Sequence, residues 1–148
     1  MAVLVVLLVS VLLFRGLGAM GIAAFATWQL SARYALALMF LFTSTAHFTK
    51  MKHDLARMVP RLFPQALALV YITGVCEILG AIGILFERSR SLAGACLILL
   101  LLALFPANWK AASEGLPLRG KPATPLWLRA PMQVLFLVLT WWVTRPWS

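Results

Sequence analysis

Two ionisable side chains, Arg15 and Glu77, lie inside apolar stretches of this 148-residue sequence. An ionisable group at membrane depth costs about 2.5–3.5 kcal/mol on insertion scales, so such groups usually face a bundle interior and find partners. A helix rises about 1.5 Å per residue, and counting from one membrane side places both groups at similar depths. We therefore predict that Arg15 and Glu77 pair or share a polar network. The alternative is that Arg15 reaches the outer interface while Glu77 is protonated.

A second polar layer lies nearer one end of the same apolar stretches. Its members fall within about two helical turns of one another in depth, so they could line a ligand pocket between helices. The alternative for each threonine is interhelical hydrogen bonding, which membrane helices use routinely. His47 could equally be an interfacial histidine. The layer comprises Thr43, Thr45, His47, Tyr71, Thr73 and Asn108, and Gln133 could reach the lower edge of the Glu77 layer.

Glycines flank Glu77 at every third position, in the run GVCEILGAIG. Small residues let helix backbones approach closely in membranes. Steps of three residues drift by about 60° each, so the glycines open one broad side of the helix rather than a single stripe. We predict that Gly74, Gly80 and Gly83 form a helix-packing face.

No catalytic motif is found in the sequence. It contains no P-loop, GxGxxG, HExxH or CxxC pattern. No catalytic residue and no metal site can be named, and enzymatic activity stays undecided at this point. Cys76 and Cys96 differ in depth by roughly 7 Å in a helical hairpin, so we expect no disulfide and interpret both as small buried residues.

The elements that must position these residues are membrane spans. Hydrophobic residues make up 63% of the chain and charged residues 11%, which excludes an ordinary soluble domain. A transmembrane helix needs about 20 mainly apolar residues. We predict one all-α transmembrane domain over residues 1–148. Its five spans are 2–20, 32–48, 65–86, 92–111 and 126–144.

The connections carry their own patterns. Residues 50–64 place apolar side chains at helical spacing between basic ones, which favours a short amphipathic helix at the interface that Pro60 ends or kinks. A solvated loop is the equally weighted alternative. Residues 87–91 predict a tight turn, and the Pro/Gly-rich residues 113–125 predict a loop without helix.

The charge balance suggests an orientation in the membrane. Thirteen Lys/Arg against four Asp/Glu give a net charge of +9, which we attribute to loops that flank membrane spans rather than to nucleic-acid binding. One set of loops holds seven basic residues and the other holds four. The positive-inside rule then predicts a cytoplasmic N-terminus and an external C-terminus. The seven are Lys50, Lys52, Arg57, Arg61, Lys110, Arg119 and Lys121, against Arg33, Arg88, Arg90 and Arg145.

The runs ALALMFLFTSTAHF, GVCEILGAIGILFERSRSLAG and LLALFPANWKAA resemble the DoxX family of small bacterial membrane proteins. The resemblance covers about residues 32–112 and implies a four-helix transmembrane bundle in the bacterial inner membrane. The first span is then an extra N-terminal helix. The positions that carry the resemblance are Arg33, His47, Gly74, Glu77, Gly80, Pro106 and Asn108.

The resemblance implies more than one function, because members include a subunit of a thiosulfate:quinone oxidoreductase and proteins needed for the assembly of others. The first hypothesis is a redox accessory subunit that binds a quinone or similar lipid and works with a soluble oxidoreductase. His47, Tyr71 and Asn108 would then bind the carbonyls and Glu77 would accept a proton. The second is a non-enzymatic assembly factor for a client membrane protein, in which the Gly74–Gly83 face and the amphipathic segment 50–64 dock client helices or anionic lipids. A small transporter is a third, and a homo-oligomer is compatible with each.

Overall fold

A computed structural model describes residues 2–118, 120–122 and 124–145 of the chain. Six α-helices account for most of these residues, with a short 3-10 helix between the first two. A two-residue antiparallel β pair lies before the last helix. The α-helices are α1 (Ala2–Ala19), α2 (Trp28–Phe48), α3 (Lys52–Met58), α4 (Ala66–Gly83), α5 (Arg90–Ser113) and α6 (Leu126–Thr144). The 3-10 helix is Ala23–Phe25, and the strands are β1 (Pro117–Leu118) and β2 (Lys121–Pro122).

Local chemistry sets several of the helix ends. The hydroxyl of Thr27 accepts a hydrogen bond from the backbone N–H of Leu30 at 3.1 Å, which caps the start of α2. Helix α3 ends before Pro60, because a residue that precedes proline is disfavoured in helical conformation, and Val59 is accordingly extended. The ammonium of Lys110 then donates to the carbonyl oxygen of Val59 at 2.9 Å.

Four of the long helices, α2, α4, α5 and α6, form a closed four-helix bundle. Helix α2 packs against α4 and α6, and α5 packs against the same two helices from the opposite side. Helix α1 lies outside this ring, against α2. The helices alternate in direction, so the bundle has two ends. We call them the Trp28 end, where α2 and α5 begin, and the α3 end, where α4 and α6 begin.

The burial pattern is that of a protein whose outer surface meets lipid. Helix α2 buries ten residues, including Leu36 and Met39, which are almost fully enclosed. The outer faces of the other long helices expose large apolar side chains, such as Leu12 at 65% and Leu99 at 66%. Soluble monomers rarely leave such extended apolar faces in water. Four helices, α1, α4, α5 and α6, are long and apolar enough to cross a membrane.

The predicted all-α class is confirmed, and the five long helices lie within a few residues of the five predicted segments. Helix α2 begins at Trp28, four residues before the predicted span, and is less apolar than the others. The segment 50–64 contains the helix α3, which favours the amphipathic interpretation over a loop. The loop 113–125 contains the paired strands that the sequence analysis did not predict.

Candidate functional site

A histidine and a glutamate meet at the interface between α2 and α4, near the α3 end of the bundle. Nε2 of His47 lies 3.5 Å from Oε1 of Glu77. His47 is 7% exposed and Glu77 is 6% exposed, so the pair is almost fully buried. This ion pair is buried, whereas the ion pair between Arg57 and Asp54 within α3 is far more exposed.

The second ring nitrogen of His47 fixes its tautomer. Nδ1 lies 2.6 Å from the carbonyl oxygen of Val70, which can only accept a hydrogen bond, so Nδ1 must carry a proton. The facing atoms, Nε2 of His47 and Oε1 of Glu77, are then both acceptors unless one further proton lies between them. The pair is therefore built to hold one exchangeable proton, either as imidazolium and carboxylate or as imidazole and carboxylic acid.

The other oxygen of Glu77 has a hydroxyl partner. Oγ1 of Thr43 lies 2.8 Å from Oε2 of Glu77 and 3.0 Å from the carbonyl oxygen of Phe40, one turn earlier in α2. The single hydroxyl hydrogen serves a carboxylate by pointing at Oε2. In the carboxylic acid the proton lies on Oε1, facing Nε2 of His47, so Oε2 still accepts a hydrogen bond from the same hydroxyl. Thr43 can therefore satisfy Glu77 in both protonation states.

Close helix packing makes this pair possible. A Cβ atom at Gly74 would lie 2.5 Å from Cβ of His47, closer than real Cβ contacts allow. The glycine therefore removes the side chain that would hold α2 away from α4 at the level of His47. Thr73 lies beside it, with its hydroxyl 3.2 Å from Nδ1 of His47 and 2.9 Å from the carbonyl oxygen of Leu69.

Tyr71 lies close to this pair but faces α3. Its hydroxyl accepts a hydrogen bond from the ammonium of Lys52 at 2.6 Å, and its ring packs near that of Phe48 with centroids 5.9 Å apart. The neighbouring Val70 supplies the carbonyl that holds His47. Tyr71 therefore belongs to the rim of the site at the α3 end rather than to the pair itself.

The predicted pairing of Arg15 with Glu77 is wrong. The guanidinium carbon of Arg15 lies 5.5 Å from the ring centroid of Trp28, at the opposite end of α2 from Glu77. Trp28 precedes Thr43, the neighbour of Glu77, by 15 residues, about 22 Å along a helix. Helix α2 also stands between α1 and α4, since α1 packs against α2. Counting depth from assumed span ends missed this offset.

Asn108 and Gln133 lie elsewhere in the bundle. Oδ1 of Asn108 accepts a hydrogen bond from Nη1 of Arg129 at 2.8 Å, which joins α5 to α6. The side-chain amide of Gln133 donates to the carbonyl oxygen of Leu101 at 2.6 Å. Neither contact involves Glu77. Of the predicted polar layer, the structure brings Thr43, His47 and Thr73 to Glu77 and uses Asn108 and Gln133 as links between α5 and α6.

The glycine face is internal. The side chain of Leu97 occupies the space beside Gly80 where a Cβ atom would lie. A Cβ atom at Gly83 would lie 2.7 Å from Cβ of Ala93. These glycines pack α4 against α5, as Gly74 packs α4 against α2. They are therefore not open to a client helix, as the assembly-factor hypothesis had them. Cys76 and Cys96 are free as expected, but both are exposed on outer helix faces rather than buried.

Sequence reasoning missed one hydrogen bond between helices and left another unexplained. Arg129 was not singled out, although the rule that selected Arg15 and Glu77, a charged residue within an apolar span, applies to it equally. Arg33 was known only through the family resemblance. It is 5% exposed, and its Nε donates to the carbonyl oxygen of Val143 at 3.0 Å, which satisfies the C-terminal end of α6. Of the basic residues predicted to set the orientation, Arg119 lies outside the described residues.

Comparison with known proteins places the chain in a family without assigning a function. No curated protein and no solved structure matches the chain significantly. Residues 36–144 match the family described as "Domain of unknown function (DUF8561)". The matched region begins within α2 and runs to the end of α6, so it contains the His47–Glu77 pair and leaves out α1. Because the match covers well over half of the 148 residues, the chain belongs to this family.

Proposed function

We propose that the protein is a membrane-embedded accessory subunit of a bacterial redox system, which holds a quinone beside His47 and Glu77. The observation that carries this proposal is the buried pair itself, poised to hold one proton between two side chains. Ionisable residues buried inside membrane helices are rare and often mark functional sites. Quinone chemistry needs such a group, because reduction of a quinone to a quinol takes up two electrons and two protons.

The proposal divides the reaction between two proteins. The electrons come from a soluble oxidoreductase that docks at the α3 end, where Lys52 and other basic side chains lie. The chain itself donates one of the two protons from the His47–Glu77 pair and takes a replacement through His47, which is near the end of α2. The second proton comes from water at the α3 end. In this division the chain positions the quinone and supplies a proton to it, and the partner protein supplies the electrons.

A groove on the outer face of α4 supplies a route for the ring. It has a volume of about 250 Å³ and lies along the first turns of α4, between Gln65 and Ile72, with Phe63 closing its end. Leu69 lines this groove, and its carbonyl oxygen accepts the hydroxyl of Thr73, which also contacts His47. Thr73 therefore contacts both His47 and a residue that lines the groove. In this proposal the quinone enters from the lipid along the groove and reaches the pair past Thr73.

The proposal takes α2 as a fifth membrane span beside the four candidate spans. Helix α2 is 21 residues long, enough to cross the hydrocarbon core, and it buries Ser31, Arg33, Ser44 and His47 against other helices. The exposed Thr45 satisfies its hydroxyl by donating to the carbonyl oxygen of Phe42 at 2.7 Å. We place α2 as the central fifth span, the α3 end in the cytoplasm and the protein in the inner membrane. The DoxX-like arrangement of four bundled helices with an added N-terminal helix is part of the same proposal.

The test is retention of quinone by the purified chain. Extraction and mass spectrometry of protein prepared in mild detergent should find quinone with the wild type and at least about tenfold less with Glu77→Gln, since hydrogen bonds to charged groups contribute about 1.5–3 kcal/mol. Thr140→Val is the matched control, because Thr140 is a fully buried polar residue whose hydroxyl bonds only within α6. It should retain quinone like the wild type.

Two results would count against the redox proposal. The first is a wild-type chain that carries no quinone even when quinone is supplied in nanodiscs. The second is a Glu77→Gln protein that accumulates normally and keeps the quinone. If Glu77→Gln instead fails to accumulate, His47→Asn tests the same site, because asparagine can still donate to the carbonyl of Val70 but cannot pass a proton to Glu77.

A non-enzymatic assembly factor is the second candidate function. The observation that favours it is that His47 and Glu77 satisfy each other and pack against Gly74, as a structural pair would. The client would then dock on the basic α3 end or on the apolar outer faces, since the glycines are enclosed. Co-purification of a stoichiometric membrane protein, unchanged in Glu77→Gln, would favour this candidate over the redox subunit.

A further inference from the structure

An apolar groove runs along the opposite side of the molecule from the His47–Glu77 pair. Helices α1, α2 and α6 form its walls, and its volume is about 220 Å³. On α6 the lining residues follow helical spacing, so the groove runs parallel to the helix axes. The lining side chains include Leu8, Val11, Trp28, Leu135, Leu139 and Trp142.

A cation stands at the Trp28 end of this groove. Arg15 continues the α1 stripe of Leu8 and Val11, since positions separated by three and four residues share a helix face. Its guanidinium carbon lies 5.5 Å from the centroid of the Trp28 ring, and that ring is also part of the groove wall. The groove is therefore apolar along its length and positively charged at its mouth.

Arg15 has no carboxylate partner in the part of the chain that the structure describes. The salt bridges there join His47 to Glu77 and Arg57 to Asp54. A half-buried guanidinium beside lipid is costly unless an anion or water reaches it. A phosphate group would suit it well, because guanidinium and phosphate form short, charge-assisted hydrogen bonds in a bidentate geometry.

We propose that this groove is a binding site for one anionic glycerophospholipid. One acyl chain lies between α1 and α6 against Leu8, Leu135 and Leu139, and the phosphate contacts Arg15. Trp28 and Trp142 lie at the level of the headgroup, where tryptophan is enriched in membrane proteins. This site is independent of the proposed redox function, since Trp28 and the His47–Glu77 pair occupy opposite ends of α2.

The site also explains what α1 contributes. Helix α1 lies outside the region that matches the family and packs against α2 rather than within the four-helix ring. It supplies one wall of the groove and the arginine at its mouth. A lipid seated between α1 and α6 would fasten α1 to the bundle, because the groove is the space that separates the two helices.

The test is native mass spectrometry of the full chain titrated with phosphatidylglycerol and phosphatidylcholine of identical acyl chains. We expect the wild type to retain one phosphatidylglycerol with about a tenfold preference over phosphatidylcholine. Arg15→Gln should reduce that preference to near unity. Leu135→Trp should reduce the retention of both lipids, because the larger ring fills the groove. Leu135 is 42% exposed, so the bundle can accommodate the substitution.

Matched variants decide whether the effects belong to this groove. Arg88→Gln removes an exposed arginine of the α4–α5 turn, and Leu99→Trp enlarges an exposed residue of α5, a helix that does not line the groove. Both should bind lipid like the wild type. A wild type without preference for phosphatidylglycerol overturns the proposal before any variant is made. A preference unchanged in Arg15→Gln, or lipid retention unchanged in Leu135→Trp and in Leu8→Trp, also overturns it.

Discussion

Nε2 of His47 faces Oε1 of Glu77 at 3.5 Å across the α2–α4 interface, while the opposite nitrogen of the ring is held by a backbone carbonyl. The carbonyl contact fixes which nitrogen faces the carboxyl group, so a proton exchanged within the pair moves between Nε2 of His47 and Oε1 of Glu77. The arrangement joins α2 and α4, which are adjacent in the four-helix ring. It is a packing contact, and it is the site at which the proposed function places its exchangeable proton.

The energetic coupling of this pair can be measured. A double-mutant cycle of His47→Phe and Glu77→Gln should give a coupling free energy of about 1–3 kcal/mol in thermal unfolding of the detergent-solubilised protein, because both groups are buried and lack water as an alternative partner. The control cycle uses Asp54→Asn and Arg57→Gln, a pair in which the Arg57 side chain is 58% exposed. There we expect less than about 1 kcal/mol. Equal coupling in the two cycles would contradict the structure.

Gly74 should be among the least replaceable glycines of the chain. Gly74→Ala places a methyl group against His47, so it must separate α2 from α4 and should destabilise the protein by about 1–3 kcal/mol. Gly16→Ala is the control, since nothing lies near a Cβ atom at that position of α1. It should be neutral or slightly stabilising because alanine has the higher helix propensity. Melting temperatures measured in one detergent compare the two directly, and similar values would count against this close approach.

The link between α5 and α6 depends on an acceptor at position 108. Asn108→Leu leaves the guanidinium of Arg129 without its side-chain partner and should destabilise the bundle by about 1–3 kcal/mol. Asn108→Asp keeps an acceptor of the same size and should retain most of the stability. The comparison is again made by thermal unfolding. If the leucine variant is as stable as the aspartate variant, the hydrogen bond contributes little.

The orientation proposed for the bundle predicts which end is reached from outside the cell. In a chain with Cys76→Ala and Cys96→Ala, a membrane-impermeant maleimide should label Arg88→Cys in intact cells but label Arg61→Cys only after lysis. Arg88 and Arg61 are both exposed and lie at opposite ends of the bundle. A reporter fused after Lys121 should likewise read cytoplasmic. Labelling of position 61 in intact cells would reverse the orientation.

Composition and hydropathy by themselves determined the class of the protein and its helices. The contrast between 63% hydrophobic and 11% charged residues leaves a membrane environment as the way to accommodate so much apolar surface. Long apolar runs and Pro/Gly breaks fix where helices begin and end, since these are local properties of the chain. Polar residues within apolar runs also marked Thr43, His47 and Glu77 as candidate site residues, although the sequence paired Glu77 with Arg15 and placed Thr43 and His47 in a second layer.

The tertiary structure alone decided which side chain each polar residue contacts. Residue counting along the predicted spans placed Arg15 at the same membrane depth as Glu77. In the structure α1 is shifted along α2, so Arg15 contacts Trp28 and Glu77 contacts His47. Asn108 likewise meets Arg129 because α5 packs against α6 at that level. Which face a helix turns inward, and how far it slides along its neighbour, depends on the fit of side chains from several helices at once. That fit is a property of the packed bundle, and no single segment of sequence contains it.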